Sequence, residues 1–184
     1  MLPTFLICGT QRGGTTALFR YLRQHPDIYM PEIKEINFFD LHFDKGIGWY
    51  ESFFEDWSGE KAVGEASPSY MWHPEVPSRI KTVLKNVKLI FCLRNPIERA
   101  YSNYWSGFSK SFRSLGGRIP SFSEAIRTED GYQRYIRKGF YYKDLVRFLK
   151  FFDLSVIHII ISEELRKDPL SPVSYTHLTL PTKA

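Results

Sequence analysis

Phe5–Leu22 reads FLICGTQRGGTTALFRYL: an apolar run, a glycine-bracketed loop from Gly9 to Thr16, and the opening of an amphipathic helix. That order is a strand, a phosphate loop and a helix N-terminus. Gly9, Gly13 and Gly14 permit a tight turn and close approach of backbone to an anion. The first N–H groups of a helix opened by Thr15 and Thr16 lack intrahelical partners, and the two hydroxyls add donors. A nucleotide-triphosphatase loop, GxxxxGK[ST], places Lys ahead of the hydroxyl residue to reach the β- and γ-phosphates. Here Thr15 holds that position and Arg12 is the loop's cation. One ligand phosphate held by Arg12, Thr15 and Thr16 suits the loop better than a magnesium-bound triphosphate. A strand, loop and helix with no ligand stays open on this segment alone.

Beyond this segment, apolar runs at Thr4–Cys8, Ala62–Gly64, Val87–Leu93 and Val156–Ile161 alternate with helical patterns at Thr15–Gln24, Glu75–Leu84, Ile97–Phe108 and Tyr142–Phe152. The alternation predicts an α/β fold: a single-domain, P-loop-like, three-layer arrangement with a central parallel sheet flanked by helices. At 184 residues the chain accommodates one such domain and not two. No internal repeat is present. Lys110–Ser121, with Gly116, Gly117 and Pro120, reads as a mobile loop. Ser171–Ala184, SPVSYTHLTLPTKA, lacks helical periodicity and stops without a closing element. It is expected to be a non-native or disordered tail following a C-terminally incomplete domain at 1–170.

The formal charge of +5 and pI near 9.1 favour anionic ligands, while the dispersal of lysines and arginines argues against nucleic acid. No stretch is long and apolar enough to span a membrane, and Met1 leads almost directly into the first strand, without room for a signal peptide. A cytoplasmic location is the expectation. Cys8 and Cys92 fall in apolar strands and read as small core hydrophobes rather than a disulfide. The five histidines are scattered without ligand spacing, so no metal site is expected.

A second constellation, Leu93–Trp105 (LRNPIERAYSNYW), follows the apolar run Lys88–Cys92. Arg94 therefore emerges at a strand's C-terminal end, where open α/β sheets bind ligands, and Pro96 suits a helix start. Arg94 with Ser102 is a candidate pair for a second phosphate, and surface ion pairing of Arg94 and Arg99 with Glu98 is the competing reading. Between the two constellations lies Lys34–Asp40, KEINFFD. Phe38 and Phe39 suit a loop pinned by aromatics, holding Glu35 at the mouth of a cleft as a general base if desolvation raises its pKa. A solvated Lys34–Glu35 pair beside core phenylalanines is the alternative.

Taken together, GTQRGGTTAL, KEINFFD, GEASPSYM, LRNPIERAYSNYW, RKGFYYKDLVRFLKFF and ISEELRKDP resemble the PAPS-dependent sulfotransferase family, in its carbohydrate branch with bacterial relatives. The motifs stand in the family's order and cover nearly all of Thr4–Leu170. The resemblance implies that PAPS (3′-phosphoadenosine 5′-phosphosulfate) is the donor, PAP the product, and a hydroxyl or amine of a carbohydrate or small molecule the acceptor. It implies that Gly13, Gly14, Thr15 and Thr16 cradle the 5′-phosphate, and that Arg12 contacts it and stabilises charge on the bridging oxygen. Arg94 and Ser102 match the 3′-phosphate pair, Glu35 the base with Lys34 beside it, and Tyr141 a tyrosine near cosubstrate and cleft. Asn37 replaces a His common in the heparan sulfate enzymes, and Ala66 a Lys, which favours a more generic bacterial-type enzyme. The family's basic, glycine-containing closing loop has no match downstream. Nucleotide-dependent phosphoryl transfer remains the reading from the loop alone, and a truncated, non-catalytic PAP-binding remnant is a third.

Overall fold

The computed structural model describes residues 1–111 and 120–167, the side chains of 108–111 excepted. Five strands, β1 (Phe5–Gly9), β2 (Ile28–Tyr29), β3 (Ala62–Ala66), β4 (Lys88–Leu93) and β5 (Ile157–Ile161), form one parallel sheet in the order β2-β3-β1-β4-β5. β1 and β3 are buried at every position; β1 reads as an apolar run ending in glycine, whereas in β3 Glu65 interrupts the apolar and small residues of Ala62–Ala66. Four strands fall where the sequence puts them, to within a residue or two at each end. β2 does not appear in the sequence reading. Two residues are too few to show a period, and pairing makes this strand, through Ile28 beside Ala62 and Tyr29 beside Val63.

The helices are α1 (Thr15–Arg23), α2 (Phe38–Leu41), α3 (Gly46–Glu51), α4 (Val76–Val83), α5 (Pro96–Ser111), α6 (Phe122–Ala125), α7 (Glu129–Gly131), α8 (Tyr141–Leu149) and α9 (Ser162–Lys167). α5 starts where its sequence signals say: Asn95 Oδ1 accepts from the N–H groups of Ile97 at 3.0 Å and Glu98 at 3.3 Å, with Pro96 in the first turn. α8 stops three residues short of the expected Phe152, where the Phe151 N–H closes a tighter turn on the Phe148 carbonyl. The expected loop at Lys110–Ser121 is corrected at both ends. Lys110 and Ser111 belong to α5, and Ser121 caps α6 through a capping box with Glu124. Its centre, 112–119, and the expected tail lie outside the described residues.

Strand alternation sends side chains into two layers. Leu6, Cys8, Val63, Leu89 and Phe91 join α4, α8 and the aromatic cluster of α2 and α3, where Phe38 stacks on Tyr50 at 4.3 Å. Phe5, Ile7, Ile90, Cys92 and Ile160 pack against Leu18, Phe19 and Leu22 of α1 and Leu165 of α9. Cys8 and Cys92 are buried, unpaired and in opposite layers, so neither reaches the other. Burial raises both thiols, Cys92 to about 12, as expected of inert core cysteines.

Candidate active site

The sheet order places a crevice before any side chain is considered. β1 connects through α1 toward β2 on one side, while its neighbour β4 leads through α5 toward β5 on the other. The space outside the carboxyl ends of β1 and β4 is therefore a topological switch point. A cavity of about 370 Å³ opens there, lined by Gln11, Arg12, Thr15, Thr16, Lys34, Glu35, Arg94, Ser102 and Arg166 among others.

The phosphate loop is shaped by its backbone. Thr10 N–H donates to the Cys92 carbonyl at 2.8 Å, tying the loop to β4, and Gly13 N–H donates to the Thr10 carbonyl at 2.9 Å. A side chain at Gly13 would lie 2.2 Å from the Cys92 carbonyl oxygen, and Gly14 sits at φ 96°, so both glycines are required where they stand. The α1 ladder opens with Ala17 and Leu18 bonding to the Gly14 carbonyl, leaving the N–H groups of Thr15 and Thr16 ahead of it. Arg12, itself at φ 68°, donates through Nε to Ser102 Oγ at 3.1 Å and so joins the loop to α5.

Arg94 leaves β4 and pairs with Glu98 at 2.9 Å, one helical turn on, while still lining the cavity. The Arg94 ion pair raised as a competing reading and the place in the cleft thus coexist, whereas Arg99 is buried and donates to the Tyr135 carbonyl instead of pairing at the surface. Tyr141 and Gly13 are the sequence candidates that do not line the cavity. Tyr141 instead donates its hydroxyl to the Arg94 carbonyl at 2.8 Å, and burial raises its pKa. On the other flank, Asn95 N–H donates to Glu163 Oε1 at 3.0 Å, which, with help from Arg166 and Arg94, keeps that carboxyl below its usual range.

Across the cavity, Lys34 Nζ is ion-paired with Glu35 Oε1. The Glu35 side chain is 52% exposed, so the desolvation that the sequence reading asked for is not present here. The enclosed carboxylate is Glu65: fully buried in β3, it is pushed up to about 7 by burial, against opposing hydrogen bonds from Ser67, Tyr50 and Tyr70. Gln11, Pro68, Ser106 and Arg166 line the cavity without having been singled out as site residues. Ser106 follows Ser102 by one helical turn, a spacing that places both on one face of α5, and Arg166 belongs to the ISEELRKDP motif, so signals for these two were present.

Among the described residues the cavity gathers four cations, Arg12, Lys34, Arg94 and Arg166, against one carboxylate, Glu35. Convergent N–H groups at a helix start and guanidinium groups on two sides suit a ligand with more than one anionic group. Among the described residues no group of His, Cys, Asp or Glu is placed to hold a metal ion, and no helix is long and apolar enough to cross a membrane.

A family model described as Sulfotransferase domain matches residues 2–175. Human heparan sulfate glucosamine 3-O-sulfotransferase 6 is 35% identical over 171 residues, covering 93% of this chain and 50% of that protein. The membrane-associated sulfotransferase kil1 of Dictyostelium discoideum is 43% identical over 106 residues, 56% of this chain and 22% of that protein. The chain thus spans about half the length of the first of these relatives and less than a quarter of the second. Among solved structures, a sulfotransferase from Alicyclobacillus acidocaldarius superposes with a TM-score of 0.82 at 31% identity, over 94% of this chain and 78% of that one. A sulfotransferase domain from the curacin biosynthetic pathway, at TM-score 0.65 and 18% identity, shares the fold.

Proposed function

The chain belongs to the sulfotransferase domain family, and from that membership we propose that its cleft transfers a sulfuryl group from PAPS to a hydroxyl or amine acceptor, releasing PAP. The observation that carries this reading is the convergence, in one cavity, of the α1 N-terminus, Arg12, Arg94 and Ser102 on one side with Lys34 and Glu35 on the other.

In this reading the 5′-phosphosulfate lies on Gly13, Gly14, Thr15 and Thr16, and the 3′-phosphate on Arg94 and Ser102. Glu35 takes the acceptor's proton as the acceptor atom bonds to sulfur, and the bond from sulfur to the bridging oxygen breaks. Negative charge returns to the 5′-phosphate, where the helix start and Arg12 stabilise it in place. Lys34 balances the Glu35 carboxylate between turnovers. Tyr141 holds the backbone from which Arg94 projects. Positioning and cationic donors suit the transfer of a group of low charge.

The acceptor class we propose is a carbohydrate or small-molecule hydroxyl, supported by the name of the human relative, which acts on heparan sulfate glucosamine. Asn37 and Ala66 in the two motifs nearest the acceptor side favour an acceptor other than heparan sulfate. We also propose a cytoplasmic setting, with the two buried free thiols in its support; cell fractionation tests it.

Thermal unfolding with PAP, with magnesium ATP and with neither is the direct test. A ligand at about 100 times its Kd stabilises the fold by roughly 2.7 kcal/mol. Stabilisation by PAP, followed by transfer of labelled sulfuryl from PAPS to an acceptor panel, is the expected result; stabilisation by magnesium ATP alone would overturn the reading.

A further inference from the structure

The Lys34–Asp40 loop holds its shape against its own backbone preferences. Glu35 at φ 66° and Asn37 at φ 55° both occupy the left-handed region, on either side of the buried Ile36. Such a conformation persists when its surroundings fix it. Three of its backbone amides are anchored, at alternate residues, while Ser69 Oγ donates to Asn37 Oδ1 at 3.0 Å and Arg79 to the Phe39 carbonyl at 2.8 Å. Glu35 N–H donates to the Ala66 carbonyl at 2.9 Å, Asn37 N–H to Ser67 Oγ at 3.0 Å, and Phe39 N–H to the Tyr70 hydroxyl at 3.3 Å.

Two of these acceptors are hydroxyls, and a hydroxyl has one proton to aim. Ser67 gives its proton to Glu65 Oε1, and Tyr70 gives its own to Glu65 Oε2 at 3.1 Å; Tyr50 donates to that same Oε2 at 2.7 Å. All three donors are neutral, and the carboxylate is wholly buried. A carboxylate only accepts, so it fixes the direction of every bond in the cluster and leaves the Ser67 and Tyr70 oxygens facing the loop.

We propose that Glu65 is a positioning residue for sulfuryl transfer: its carboxylate orients Ser67 and Tyr70 so that their oxygens hold the Asn37 and Phe39 amides, and thereby aims Glu35 into the cleft. The proposal rests on the sulfotransferase reading above. The groups facing Glu65 are Tyr50 of α3, Tyr70 of the turn after β3, the Cys8 thiol of β1 and the like charge of Asp40 in α2. A proton on Glu65 turns one acceptor into a donor and breaks the pattern. Burial sets that protonation near neutrality, so turnover rises as pH increases through about 7.

Amide hydrogen exchange and steady-state kinetics on the full chain test this. Ser67→Ala and Tyr70→Phe each remove one acceptor, and each is expected to speed exchange at its own amide, Asn37 or Phe39, roughly five- to tenfold. Glu65→Gln is expected to speed both, to lower kcat more than tenfold with the PAP dissociation constant unchanged within twofold, and to abolish the rise in kcat near pH 7. Tyr50→Phe, which deletes a donor to Glu65, keeps the ring that stacks on Phe38 and takes no hydrogen bond from the loop backbone, leaves both amides as they are, and Ser67→Thr restores the Asn37 amide. If Glu65→Gln does not fold, the two hydroxyl variants decide the matter alone. Unchanged exchange at Asn37 and Phe39 in an enzyme that still transfers sulfuryl groups overturns the anchor. A wild-type chain that transfers nothing overturns the reaction reading, and with it the service of Glu65 to that reaction, whatever the exchange pattern.

Discussion

The two loops that face each other across the cleft reach their shapes by different means. The phosphate loop is a backbone object: a carbonyl of β4 takes the Thr10 amide, the Gly13 position has no room for a side chain, and Gly14 turns left-handed into α1. The Lys34–Asp40 loop, with Glu35 and Asn37 left-handed as Arg12 is in the other, is held by side chains from outside it, two of them hydroxyls that answer to one buried carboxylate. The first arrangement is set by backbone geometry; the second is conditional on a charge state. Cosubstrate binding and acceptor activation are therefore expected to fail separately.

The largest expected effect is on the acceptor side. Glu35→Gln removes the proposed base while keeping the side chain's size, and general-base catalysis contributes roughly 10²–10⁴-fold, so kcat should fall by about that factor. The PAP dissociation constant, measured by calorimetry, should stay within about twofold. A matching loss of PAP affinity would mean that the two loops are not separable.

Next in size is the cost of keeping Glu65 charged. Its carboxyl holds a proton more tightly in the fold, near 7, than the ordinary 4.5, so its contribution to stability is complete below about 4.5 and is lost as pH rises through 7. At 1.36 kcal/mol per unit the loss amounts to roughly 3 kcal/mol. Urea unfolding of the wild type between pH 5 and 9, compared with Glu65→Gln, should show this slope in the wild type and not in the variant. Parallel slopes would remove Glu65 from that titration. Stability thus favours the neutral form and loop geometry the charged one, opposing demands on one side chain.

On the cosubstrate side, Arg94→Ala removes a charge-assisted contact to the proposed 3′-phosphate worth roughly 1.5–3 kcal/mol. PAP should bind some tens of times more weakly, with kcat at saturating PAPS little changed. Equal loss of kcat would blur the division between the loops, and unchanged affinity would take Arg94 out of the site.

The same contrast decides what could be read in the sequence. The phosphate loop was legible because glycines and a helix start leave a signature in consecutive residues, and the strands because burial on both faces leaves an unbroken run, as in Phe5–Cys8. β2 was not, since two residues have no period. Glu35 and Lys34 could be picked out, but not what holds them: the anchors come from Ala66, Ser67 and Tyr70, some thirty residues away, and no local pattern announces a hydrogen bond across that separation. Glu65 stands two residues after Val63, and strand alternation settles it in the same core layer. Tyr141 was expected near cosubstrate and cleft; it touches the chain at the Arg94 carbonyl.

That last contact yields the smallest effect. Tyr141→Phe keeps the ring, which packs against the core layer beneath β4, and deletes the hydroxyl that donates to the Arg94 carbonyl at 2.8 Å and faces the buried Arg99 guanidinium. A neutral hydrogen bond contributes about 1 kcal/mol, and the carbonyl it leaves sits at the edge of a cleft rather than in the dry core, so the expected loss in PAP affinity is roughly threefold to fivefold. Because the hydroxyl acts through the backbone from which Arg94 projects, the loss should vanish in an Arg94→Ala background. A double-mutant cycle on PAP binding measures this. Coupling near zero would make Tyr141 an independent contact with the nucleotide, and the phosphate side of the cleft would then depend on side-chain hydroxyls as the opposite loop does.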